Sequence, residues 1–164
     1  MAVSQESCPL CRARVAGRQA CQDIFDELSA RAWSTPGRGS VHNLVVDTYA
    51  MQHSEEYGRS AKSFVAHLTG LCCGVEARGD TELYWQIPRW LDGRVDLARP
   101  QDLPHRGAMT IADVRNPARE EEYPDLDRRW ANDLWQAYGS LHNTARQWLD
   151  AVRAHRIQAV GRKR

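Results

Sequence analysis

Apolar residues recur at helical spacing over most of the chain. Cys21, Ile24, Phe25, Leu28 and Ala32 fall three or four residues apart and predict an amphipathic helix over 21–33. "STPGRGS", Ser34 to Ser40, ends it with a proline and two glycines. Ser40 is then placed to cap a second helix, because its hydroxyl can accept from a first-turn amide. In that helix Val41, Leu44, Val45, Val46, Tyr49, Ala50 and Met51 cover a wide arc. Asn43 and Asp47 share a narrow polar strip, and a solvated Asp47 is expected there. A third helix is predicted from a Ser60 cap to about Ala77, with Phe64, Leu68, Leu71, Cys72 and Val75 as its stripe. His67 lies at the edge of that stripe, in line with Ser63, Gly70 and Gly74. From Leu126 to Arg153 a continuous stripe that includes Trp130, Leu134, Tyr138, Leu141, Trp148 and Val152 predicts one long last helix.

Residues 79–125 break the pattern. They carry five of the seven prolines together with Trp85 and Trp90, and read as an irregular excursion whose aromatic residues anchor it on the helices. Within it, Thr110 and Asp113 have the spacing of a capping box and can start a short helix, and "YWQIP" can be a short strand. The expected fold is all-α: a bundle of about four main helices with a Pro/Trp-rich irregular insert, its first three helices antiparallel neighbours across short loops. Residues 1–20 form a Cys-containing arm of the same domain, 21–156 the bundle and 157–164 a basic tail.

Composition narrows the function classes. A chain of 164 residues suits a single domain with a sizeable core. A formal net charge of +1 makes no electrostatic case for nucleic acid or an anionic membrane, and the terminal "GRKR" reads as a solvated tail. No apolar run approaches the roughly 20 residues of a membrane span, and the first residues lack the basic-then-apolar order of a signal peptide. Five cysteines, an odd number with Cys72 and Cys73 adjacent, argue against a secreted disulfide framework and for a reducing cytoplasm.

In such a compartment "CPLC" reads first as metal-binding. The spacing of Cys8 and Cys11 lets both sulfurs face one ion, and Pro9 helps to set the tight turn between them. Zinc prefers four tetrahedral sulfur and nitrogen ligands. Cys21 is the expected third ligand, near a helix start that favours a thiolate. His53, where the second helix ends, is the expected fourth. His42, His67 and His142, on three different helices, are the candidate catalytic residues, because facing helices that each give one imidazole can build an internal acid–base or metal pocket. The competing reading is core histidines bonded to backbone carbonyls or to Tyr49. In a straight helix His42 and His53 stand about 16 Å apart, so they do not share an ion. The expectation is a zinc-binding module with a structural site and an unidentified small-molecule or protein partner. The alternative is a small metal-dependent hydrolase or transferase with a His-lined pocket. No phosphate-binding glycine loop, serine elbow or His-Glu-x-x-His helix is present.

"VHNLVVDTYAMQH" resembles the Val-His-x-Leu-x-Val-Asp-x-Tyr-Ala-x-Gln-His signature of a bacterial family of unknown function. The resemblance runs in order through "CPLC", "ACQDIFDEL", "HLTGL", "GAMTIADV" and "WANDLWQAYGSLHNTARQW". The chain departs from it at Ser54, where members usually have Pro, at Arg12, where they have Gly, and at Gln22, where Trp is frequent. The resemblance implies a shared scaffold in which His42, Asp47, His53, His67 and His142 matter. It implies no reaction.

Overall fold

The computed structural model describes residues 6–34, 39–101 and 106–161. The Ser40 hydroxyl and the end of the basic tail lie outside that description. Among the described residues there are helices and no strand: α1 (Gly17–Ser34), α2 (Gly39–Gln52), α3 (Ser54–Tyr57), α4 (Ala61–Glu76), α5 (Thr81–Leu91), α6 (Ile111–Val114), α7 (Tyr123–Ala137) and α8 (His142–Gly161). The all-α class is therefore as expected. None of these helices is long and apolar enough to cross a membrane. α2 packs against α1, α4 and α7, and α4 packs against α5, α7 and α8.

Two apolar clusters follow from that packing. The larger joins α4, α5, α7 and α8 through Phe64, Leu68, Leu71, Trp90, Leu134 and Leu149. The second joins the N-terminal arm to α1, α2, α6 and α7 through Val15, Ile24, Val45, Tyr49, Ile111 and Trp130, and contains Cys8, Cys11 and Cys21. The Ser60 cap of α4 forms as its sequence predicts, accepting from the Ser63 amide at 3.0 Å. Ser60→Ala is expected to destabilise the protein by about 1 kcal/mol. Urea unfolding with an unchanged m-value would read that difference.

The structure corrects the helix count in two places. Residues 81–91, expected to be irregular or a strand, form α5. Asp80 caps it, accepting from the Leu83 amide at 3.1 Å, and Leu83, Tyr84, Ile87, Trp90 and Leu91 bury one face. Pro88 lies in the last turn, so the missing N–H removes one bond to the Tyr84 carbonyl, and Leu91 ends the helix soon after. Trp90 is buried and anchors α5, whereas Trp85 is 63% exposed and anchors nothing. The short helix at Thr110 does form, with both halves of its capping box.

The long last helix is two helices, α7 and α8, parted by a 3-10 turn at Gly139–Leu141. Tyr138 is buried there and its hydroxyl donates to the Met51 carbonyl at 2.8 Å. The apolar stripe survives the break because both helices face the same core, which is why periodicity alone does not reveal the turn.

Candidate metal centre

The arm closes on itself before it reaches the helices. The Cys8 amide donates to the Ala13 carbonyl and the Arg12 amide to the Cys8 carbonyl, both at 2.9 Å. The Ala13 amide donates to the Cys11 sulfur. This tight loop forces Arg12 to φ +64°, a left-handed conformation that side chains with a Cβ disfavour. Arg12→Gly is expected to stabilise the protein by about 0.5–1 kcal/mol, because glycine reaches that conformation without strain. A thermal melt of the two proteins side by side checks this.

Cys21 lies one turn into α1, and His53 is the single residue between α2 and α3. The His53 Nδ1 is 2.7 Å from the Tyr49 carbonyl. A carbonyl only accepts, so Nδ1 carries the proton and Nε2 presents its lone pair. That Nε2 lies 3.6 Å from the Cys8 sulfur and 3.5 Å from the Cys21 sulfur, and the Cys11 and Cys21 sulfurs are 3.7 Å apart. All four donor atoms fall within 4.8 Å of one another, and all four residues are buried. Tyr49 stacks on the His53 ring at 3.9 Å and on Phe25 at 4.0 Å, fixing the imidazole plane. Its hydroxyl donates to the Cys21 sulfur at 3.7 Å and accepts from Arg18 at 2.8 Å, and Arg18 also pairs with Glu56.

These partners share protons unequally. The hydrogen bond from the Cys11 thiol, helped by that from the Tyr49 hydroxyl and opposed by burial, holds Cys21 down to about 4. Cys11, as the donor of that bond and buried as well, is raised. The cluster thus already favours a thiolate at Cys21. Cys72 and Cys73, buried in α4 among apolar side chains, are instead pushed up to about 12 and are inert thiols. A buried set of three sulfurs and one neutral imidazole is a donor set for a metal ion, and the residues present fit one.

His42, His67 and His142 have three separate settings, so no common pocket joins them. His42 meets the Ser29 carbonyl through Nδ1 at 3.2 Å and the edge of Trp33. His67 pairs with Asp47 at 2.9 Å. His142 donates through Nε2 to the Trp135 carbonyl at 2.7 Å, which also accepts from the Tyr138 amide, and stacks on the Trp135 ring. Asp47, expected on a solvated strip, is buried, because that strip faces α4 and His67. Gln52 escapes a reading of the sequence. It is fully buried and bonds Trp130, Arg106 and Met109, and its only signal is a polar side chain at an inward helical position.

Fold and site together define an all-helical protein whose N-terminal arm is held on the helices by a buried Cys3His cluster able to take a metal ion. A family model covers residues 6–139, and the chain belongs to that family, the family of unknown function DUF5946. No curated protein and no solved structure matches the chain.

Proposed function

We propose that the protein binds one zinc ion through Cys8, Cys11, Cys21 and His53, and that this ion staples the arm to the bundle of a binding or accessory module. The carrying observation is the donor spacing. Zn–S bonds of about 2.3 Å and a Zn–N bond of about 2.05 Å at tetrahedral angles put two sulfurs about 3.8 Å apart and sulfur and nitrogen about 3.6 Å apart. The corresponding distances here are 3.7, 3.6 and 3.5 Å. Three thiolates on zinc leave one net negative charge, which Arg18 faces through Tyr49. When bound, zinc supplies a fixed tetrahedral cross-link and no redox chemistry.

Four protein donors leave no open coordination position. That favours a structural ion over a small metal-dependent hydrolase or transferase, as does the scattering of His42, His67 and His142. The five unpaired thiols suit a reducing compartment such as the cytoplasm. Elemental analysis of the dialysed protein tests the reading. Wild type and His142→Ala are expected to retain one zinc per chain, and Cys8→Ser and His53→Ala to lose it. A zinc-free wild type, or a Cys8→Ser variant that keeps its full complement, would overturn it.

A further inference from the structure

Away from the cysteines, α2, α4 and α5 enclose an open cavity of about 230 Å³. Its wall is mainly apolar, formed by Val46, Ala66, Ile87 and Pro88, and Trp85 stands beside it with 63% of its surface exposed. One polar pair is built into that wall. Asp47 Oδ1 lies 2.9 Å from His67 Nδ1, with the carboxylate side chain 12% and the imidazole 24% exposed. Burial raises the Asp47 carboxyl, and the hydrogen bond from His67 opposes that.

The pair is costly to place. With Asp47 held on His67, a Cβ on Gly70 would collide with the carboxylate, so the pairing goes with a glycine in α4 that costs roughly 1 kcal/mol of helix stability relative to alanine. What the arrangement secures is the orientation of His67. Its Nδ1 is taken up by Asp47, and its Nε2 has no hydrogen-bond partner among the described residues. The Tyr84 ring lines the same cavity, while its hydroxyl is buried beside Gly74, away from the opening. A largely apolar concavity with a few convergent polar groups is the usual form of a small-molecule site.

We propose that this cavity is a second binding site, in which His67 Nε2, held by Asp47, accepts a hydrogen bond from a small, mainly apolar ligand bearing a hydroxyl or N–H group and lying against Trp85. The volume suits a molecule of about one ring, below the ~300 Å³ at which drug-sized pockets begin. The site shares no residue with the Cys3His cluster and does not depend on the zinc reading.

Phenol and anisole distinguish the proposal, since both offer a ring and an oxygen but only phenol has a proton to donate. Each is titrated into the full chain as purified, with the His67 ring nitrogens and the Trp85 indole N–H followed by NMR. Phenol is expected to shift both resonances and to bind at least tenfold more tightly than anisole. His67→Ala should remove that preference, and Trp85→Ala should weaken both probes. Both side chains are partly exposed, so both variants are expected to keep the wild-type helical circular dichroism. Equal affinity for phenol and anisole, a phenol preference that survives His67→Ala, or shifts that bypass His67 and Trp85 would each overturn the proposal. So would the absence of any shift.

Discussion

If Cys8, Cys11, Cys21 and His53 hold zinc as proposed, stripping it from the folded protein is expected to lower the melting temperature by about 8–16 °C. A ligand present at a thousand times its dissociation constant stabilises the native state by about 4 kcal/mol. In a chain of this size each kcal/mol moves the midpoint by about 2–4 °C. The loss should be uneven. Cys8, Cys11 and Cys21 belong to the cluster that joins the arm to α1, α2, α6 and α7, whereas α4, α5 and α8 bury their faces in the other cluster. Hydrogen exchange of the chelated protein should therefore accelerate first in residues 6–16 and around His53, with α4 and α8 still protected. Cys8→Ser, Cys11→Ser, Cys21→Ser and His53→Ala should each remove the whole zinc-dependent increment. Pairs of these changes should do little more than single ones, because four ligands on one ion act as a unit. A melting curve indifferent to chelation would show that packing alone holds the arm.

Much of that centre is legible in the amino-acid sequence. Two cysteines three positions apart, a third near a helix start and a histidine at a helix end leave few ways to arrange four donors. The stripes of α1 and α4 are equally plain, since no proline interrupts them and Ser60 marks one boundary. What the sequence hides has specific causes. α5 carries apolar residues at 83, 84, 87, 90 and 91, a helical set, but Pro88 masks it, although a proline in the last turn forfeits only one bond. The α7–α8 break leaves the stripe intact, and Gly139 is its only trace. Asp47 and His67 lie twenty residues apart and meet because Gly70 makes room, a pairing that periodicity within one helix does not encode. The three inner histidines are legible one by one as inward or flanking residues. Their separation is not, because it depends on how the helices are rotated against one another.

Gln52→Leu is expected to destabilise the protein by about 3–5 kcal/mol while leaving the proposed zinc content unchanged. The wild-type amide is fully buried and uses both ends. Its Nε2 donates to the Arg106 carbonyl at 2.7 Å and to the Met109 carbonyl at 2.6 Å, and its Oε1 accepts from the Trp130 indole at 3.0 Å. Leucine fills a similar volume but leaves three groups without partners. Each buried, unsatisfied group carries a penalty of about 1–3 kcal/mol. The two carbonyls are only partly buried and can turn toward water, which keeps the total below a simple sum; the Trp130 N–H is enclosed and cannot. The same amide fastens residues 106–109 to α2, alongside Arg106, which donates to the Gln52 backbone carbonyl at 3.3 Å and pairs with Glu55, and Asp133 of α7, which accepts from the Ala108 and Met109 amides at 2.7 and 2.8 Å. With the Gln52 amide gone and the Arg106 and Asp133 contacts intact, the segment should loosen without detaching, so exchange should rise at residues 106–110 and Trp130 emission should shift to the red. Gln52→Glu should do no better, since a carboxylate sets like-signed oxygens against both carbonyls. None of these bonds reaches the Cys3His cluster, so metal content at one zinc per chain separates a lost polar node from a lost cross-link. A penalty below about 1 kcal/mol would mean that water or repacking replaces the amide, and that the Gln52 side chain adds little to the hold of Arg106 on α2.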